Sequence, residues 1–353
     1  MKLLSVIIPM YNSAKWLPKC LDSVLNQDVA KTDLEIVCIN DGSPDNSEEI
    51  AKQYRSAYPE TVVVLNQENQ GPSGARNNGI RNATGKYLCF VDPDDFVEPN
   101  VYGGLLKRME DLQLDVLRFN YQIVDEEYRP VKKREFELQF DYSPCIMPGA
   151  DFLADRMDIA CHIWKYVYRT ELITSNQIWC FTGDYFDDTP WLPMVLMKTE
   201  HLGVCGTVVY DYQDRGDSLV KAMTPVSVKK KKEGYFLLIR LLQEEMEVLR
   251  GGQVNYPNME ALSTVRFESS KRDKIFKWYE MLISHSAVAL LTNSAIYDPK
   301  SYKSVLKELR NMKVFPLSNY KTVSISSRKV LLFNMFPMLM KKLIRVKNKR
   351  YNY

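Results

Sequence analysis

The sequence predicts an α/β protein: a mostly parallel sheet flanked by helices, extended by a helical C-terminal region. Three observations lead there. Short aliphatic and β-branched runs alternate with segments of helical period from Leu3 to about Tyr121. Those runs are apolar throughout rather than every second residue, which suits strands covered on both faces. Acidic, Asn and Gly residues cluster just after the runs, where ligands of open α/β sheets bind.

In order, Leu3 to Ile8 is the first strand, ended by Pro9. After a turn at Asn12-Ser13, residues Trp16, Leu17, Cys20, Leu21, Val24 and Leu25 share one helical face. Leu34 to Ile39 makes a second strand, followed by the turn Asn40-Asp41-Gly42-Ser43-Pro44-Asp45. Ser47-Glu48-Glu49 opens a helix to about Tyr58, then Thr61 to Leu65 is a third strand. Ser73 to Arg81 is helical, and Tyr87 to Val91 is a fourth strand. A helix from Pro99 to Leu112 and a strand from Asp115 to Tyr121 follow. Val124 to Pro148 is polar and irregular, and shorter elements resume from Gly149 to Tyr212. Within them, Phe181 to Met197 reads as a turn feeding a helix. Beyond Asp217 the character changes, and a charged helical region runs from Lys229 to about Leu291.

Composition excludes several classes. The length of 353 residues suits roughly two domains, with 45% hydrophobic and 26% charged residues as in ordinary globular proteins. A net charge of +3, without aromatics interleaved among the basic residues, gives no nucleic-acid signature. Seven scattered cysteines lack a Cys-x-x-Cys pair, which suits reduced thiols in the cytoplasm rather than disulfides or zinc. His162, His201 and His285 are too far apart to suggest a metal cluster and read as structural. The apolar N-terminus lacks a small-residue cleavage site and reads as a strand, not a signal peptide. No apolar run reaches the roughly 18 residues of a membrane span.

Chemistry concentrates where the fourth strand empties into Asp92, Asp94 and Asp95 around Pro93. Bunched carboxylates are costly unless something positive sits among them. Mg²⁺ and Mn²⁺ bind through one or two carboxylates plus substrate phosphates, so Asp92-x-Asp94 suits a metal–diphosphate site. The plain alternative is an acidic turn capping the helix after Pro99. At the far end, Val330 to Met340 is nearly all apolar, broken by Asn334 and Pro337. Lys341, Lys342, Arg345, Lys347, Lys349 and Arg350 follow with no acidic residue among them. Such a segment, 330–353, lies on an anionic membrane surface or packs as a terminal helix with a solvated tail.

Five stretches in fixed order carry a family resemblance: SVIIPMYN (5–12), CLDSVLNQ (20–27), INDGSPDNS (39–47), ENQGPSGARNNGI (68–80) and GKYLCFVDPDDF (85–96). With weaker echoes at 163–173, 186–188 and 212–219, the chain resembles family 2 glycosyltransferases of the GT-A fold. Members of this kind build bacterial surface polysaccharides. The resemblance implies a Rossmann-like GT-A domain over 1–218, with a nucleotide-sugar-binding half (1–98) and an acceptor half (99–218). Residues 219–353 are then a mainly helical extension with a basic amphipathic tail.

By that resemblance the chain is a metal-dependent, inverting hexosyltransferase, moving a sugar from a nucleoside diphosphate, UDP by family habit, to an acceptor hydroxyl. Pro9 and Tyr11 would flank the base, Asp41 would read its edge, and Arg76 would reach the base or phosphates. The family often has two acidic residues where this chain has Asn40-Asp41, a departure that removes the carboxylate for a ribose contact at position 40 and leaves Asp41 in place. Asp92 and Asp94 would hold Mn²⁺ or Mg²⁺, Asp92 also facing the nucleotide, with Asp95 orienting its neighbours or touching the sugar. Asp188, with Asp187 as fallback, matches the family's general base at a helix start, and Arg215 matches an arginine that closes over the diphosphate. Relatives often carry Asn-Lys after a tryptophan, whereas Lys165 directly follows Trp164 here. His162 and Trp164 line the acceptor pocket or simply pack. The implied partners are a UDP-sugar and a glycan or lipid-linked acceptor at the cytoplasmic face of the cell membrane. Two alternatives remain at this level. A nucleotidyltransferase should show a glycine-rich basic loop where Met10-Tyr11-Asn12-Ser13 stands, and a non-catalytic nucleotide-sugar-binding protein should have lost its paired aspartates.

Overall fold

The computed structural model describes residues 2–131, 141, 143–157, 160–181, 188–215, 223–318 and 327–351. Its first half alternates β1 (Lys2–Met10), α1 (Leu17–Leu25), β2 (Leu34–Asp41), α2 (Ser47–Ala57), β3 (Val62–Gln67), α3 (Gly71–Asn82) and β4 (Gly85–Phe90). Then come β5 (Phe96–Val97), α4 (Tyr102–Asp111), β6 (Val116–Val124), β7 (Pro130–Val131), β8 (Cys145–Met147) and α5 (Gly149–Asp155). A 3₁₀ turn (Ile163–Lys165) leads into β9 (Tyr166–Arg169), α6 (Thr170–Ser175), α7 (Asp188–Met197) and β10 (Leu202–Gln213). The remainder is helical: α8 (Pro225–Leu249), α9 (Glu260–Ser263), α10 (Ser269–Tyr297), α11 (Tyr302–Asn311), α12 (Ser327–Met335) and α13 (Pro337–Tyr351).

The sheet order is β3-β2-β1-β4-β9-β6-β10-β5, with β7 on β6 and β8 on β10. The pairs β1/β2, β1/β4, β2/β3 and β6/β10 are parallel. β9 slips antiparallel between β4 and β6, a placement that βαβ alternation does not foresee. Because β9 runs against both neighbours, β6 and β10 point the same way as β1, β2 and β4. The carboxyl ends of all five therefore open on one edge.

Strand period two divides the core between the sheet's faces. Val6 and Ile8 of β1 pack with Leu17, Leu21 and Val24 of α1, while Ile7 packs with α3 and the helices beyond. Each such fully buried aliphatic side chain contributes about 2 kcal/mol. Gly79 lets α3 approach closely, since a Cβ there would sit 2.4 Å from Ile7 Cγ2. The C-terminal helices share this core: Leu238, Ile239, Tyr279 and Leu282 are buried with Trp191 and Leu192 of α7.

The charged region expected as one helical stretch after Lys229 is two long helices, α8 and α10, packed together. The break falls at Gly251-Gly252, where Gly251 takes φ +91°, a left-handed conformation that ends helices. Between these helices Glu245 is fully buried and accepts a 2.6 Å bond from the Tyr279 hydroxyl. Its other oxygen has no partner among the described residues, and burial pushes its carboxyl well above the usual range. A carboxyl raised in this way costs nothing below its unfolded pKa of about 4.3, and costs stability as pH climbs above it. The Glu245→Gln variant should therefore gain thermal stability relative to wild type as pH rises from about 4.5 to about 8. A difference in melting temperature that stays constant across that range would show that Glu245 is not buried as an acid.

Candidate active site

The parallel edge is where candidate side chains gather. β1 runs out at Tyr11, a residue 51% exposed that brings an aromatic side chain to the strand's end. Pro9, just before it, is buried in the strand. β2 ends in Asp41, which is buried. Its Oδ1 accepts from the Gln67 side chain at 2.7 Å and from the Gln70 amide at 2.8 Å. Among the described residues its Oδ2 accepts nothing, which leaves one lone-pair face for a ligand donor. Asn40 is spent on the turn instead, donating to Asn66 at 3.1 Å and accepting from the Ser43 amide at 3.0 Å.

The three aspartates after β4 split into two kinds. Asp92 and Asp94 are partly exposed, with side-chain exposures of 26% and 27%, and each is met by a guanidinium. Arg76, delivered by α3, lies 2.9 Å from Asp92 Oδ1. Arg215, just past β10, pairs with Asp94 and lays its guanidinium carbon 3.8 Å from the Trp16 ring centroid. Asp95 is buried. Its carboxylate accepts from the Tyr210 hydroxyl at 2.8 Å and from the Gln213 amide at 2.8 Å. Burial first, then the charges of Asp94 and Asp92, hold its carboxyl well above the usual range. Tyr210 in turn accepts from the Asp92 amide at 3.1 Å, so Asp95 and Tyr210 pin the acidic loop to β10.

Two arginines thus supply the positive charge that crowded carboxylates need. No group of three or more His, Cys, Asp or Glu side chains forms a cation cage among the described residues. The donor set still fits Mg²⁺ or Mn²⁺: two hard, partly exposed carboxylates on one short loop match ions that take most ligands from phosphate and water. Arg76 and Arg215 stand beside them with the planar donor pattern that suits phosphate.

On the far side, Asp188 opens α7 with Oδ2 3.7 Å from His162 Nδ1. Asp187 lies outside the described residues, as do residues 216–219 of the stretch around Arg215. The His162 ring stacks on Trp164 (centroids 5.1 Å, 14°), and Trp164 stacks on Tyr210 (4.3 Å, 15°). One row of rings therefore joins Asp188 to the tyrosine that holds the Asp92 loop. Lys165 is buried against this row, its Nζ 4.3 Å from the Tyr121 ring centroid and 5.4 Å from that of Trp164. α3 also steadies this side. Asn77 exchanges hydrogen bonds of 2.9 and 2.8 Å with the backbone of Cys180, upstream of Asp188.

Helical period places Trp16 on a core face, yet it carries Arg215. Trp16 stands just before the first helical residue, Leu17, so it leaves the buried face that Leu17, Cys20, Leu21, Val24 and Leu25 form. Tyr210 and Gln213 have no such signal, because their roles depend on where β10 lands.

A mixed sheet in this strand order, flanked by helices and with these side chains at its parallel edge, has the architecture of the GT-A glycosyltransferase fold. The chain belongs to glycosyl transferase family 2, whose model matches residues 5–158. It is 38% identical over 234 residues to glycosyltransferase GlyG of Streptococcus pneumoniae, covering 62% of this chain and 73% of that protein. It is 30% identical over 223 residues to the minor teichoic acid biosynthesis protein GgaA of Bacillus subtilis, covering 61% and 48%. The chain spans about half the length of several curated relatives that it matches. Among solved structures, S. aureus TarS 1-349 in complex with UDP superposes with a TM-score of 0.54 at 19% identity, covering 88% of this chain and 92% of that one. At that identity the likeness is one of fold.

Proposed function

We propose that the chain transfers a sugar, with inversion, from a UDP-sugar to a hydroxyl of a cell-surface glycan or its lipid-linked precursor, at the cytoplasmic face of the cell membrane. The observation that carries this reading is the pair Asp92 and Asp94, at one parallel edge with Asp41 and Tyr11 and linked by stacked rings to Asp188. The UDP held by the TarS fold relative and the teichoic acid biosynthesis named for GgaA support donor and acceptor class.

Tyr11 offers a face to the base, and Asp41 Oδ2 accepts from its ring N–H. Arg76 and Arg215 trade their carboxylate partners for the diphosphate. Asp92 and Asp94 would hold Mg²⁺ or Mn²⁺, which when bound neutralises charge on the departing diphosphate. Asp188 takes the acceptor hydroxyl's proton as that oxygen bonds the anomeric carbon from the face opposite the diphosphate. The bond from that carbon to the diphosphate breaks and UDP leaves. His162 Nδ1 stands 3.7 Å from Asp188 Oδ2, near enough to approach the carboxylate as it takes up the proton. No helix among the described residues is long and apolar enough to cross a membrane.

A panel of nucleotide sugars tested by thermal shift with Mn²⁺ checks the reading. Stabilisation of about 2.7 kcal/mol is expected at a hundredfold excess of a UDP-sugar over its Kd. Silence across the panel, or a preference for nucleoside triphosphates, would favour the nucleotidyltransferase alternative. Binding without Mn²⁺-stimulated donor hydrolysis would leave a nucleotide-sugar-binding protein.

A further inference from the structure

The last two helices are fastened to the body on one side only. Val330, Phe333 and Met340 are buried against it. Asn334 exchanges bonds of 2.7 and 2.9 Å with the Leu317 backbone, and the Tyr302 hydroxyl donates to the Pro337 carbonyl at 2.9 Å. Among the described residues nothing covers the opposite side of α13. Phe336, Leu339, Leu343 and Val346 are each 48–52% exposed and fall at helical spacing, forming one apolar stripe. Lys342 and Arg345 border it.

Charge is segregated along the chain in the same sense. All 44 acidic residues lie at or before Glu308, whereas 11 of the 47 basic residues follow it. Residues 309–353 therefore carry +11, and residues 1–308 carry −8. An exposed apolar stripe edged only by cations has one fitting partner class. A second copy of the same face would bring like charges together, and a nucleic acid offers nothing to an aliphatic stripe. An anionic bilayer offers headgroup phosphates to the cations and acyl chains to the stripe, at the shallow depth an interfacial helix occupies.

We infer that α13, continued from α12, is an interfacial helix that lies flat on an anionic phospholipid surface and holds the protein there. The inference extends the membrane placement in the proposed function, and vesicle binding is read without substrates, so the two can fail separately. The test is flotation of the full chain with phosphatidylcholine vesicles, with and without phosphatidylglycerol. Wild type should float with the anionic vesicles, and its partition should weaken with added salt. Leu339→Glu/Leu343→Glu should abolish flotation, and Lys342→Glu/Arg345→Glu should lower the partition on the order of tenfold or more. Both should keep the wild-type melting temperature and donor hydrolysis. Wild type that stays unbound, or the leucine variant floating as well as wild type, overturns the inference. So does a stripe-dependent dimer in solution that ignores vesicles.

Discussion

The Asp188→Asn variant should lose about 10²–10⁴-fold in kcat while donor-induced stabilisation remains near wild type. Asparagine keeps the volume and the contact with His162, but cannot take a proton at neutral pH. The loss should thus fall on turnover, not on binding. His162 lies 3.7 Å from the carboxylate and stacks on Trp164, so the side chain should stay in place after the change. Near-normal kcat would move the base elsewhere, and the same experiment on Asp187 would decide whether it moves by one residue.

Removing Asp94 should have a comparable or larger effect by a different route. Asp94→Ala takes away one of two candidate cation ligands and also releases Arg215, which rests between Asp94 and the Trp16 ring. Metal-stimulated turnover should fall by about 10³-fold or more, equivalent to about 4 kcal/mol of lost transition-state stabilisation. The fold should survive, because Asp94 is partly exposed and the loop's anchor is Asp95, through Tyr210 and Gln213. Undiminished, Mn²⁺-stimulated turnover in this variant would refute the ligand assignment. Arg215→Ala separates the two effects: it should weaken donor binding while leaving the response to Mn²⁺ in place.

The first 98 residues are legible in the sequence because their signals are local. Six apolar runs and helical stretches, from Leu3 to Arg81, map onto β1 through α3 within a few residues, and Asp41 and Asp92 stand at strand ends as expected. Residues 99–213 are harder. β9 is four residues long, too short for periodicity to mark, and its antiparallel place between β4 and β6 is set by tertiary pairing. His162 reads as a structural residue or as lining an acceptor pocket, and its approach to Asp188 is a matter of tertiary packing. The split between α8 and α10 is visible as Gly251-Gly252 but is masked by charge continuing on both sides.

Taken alone, the sequence determined the alternation of strands and helices, the acidic loop after β4 and the basic, apolar tail, since each follows from neighbours within a few positions. Tertiary structure alone decided that Asp92 and Asp94 meet Arg76 and Arg215, that Asp95 is the buried anchor, and that the tail's stripe points outward. Those outcomes join residues up to 121 positions apart in the chain. Which charge neutralises which is settled by packing and solvent access, and local sequence carries no record of either.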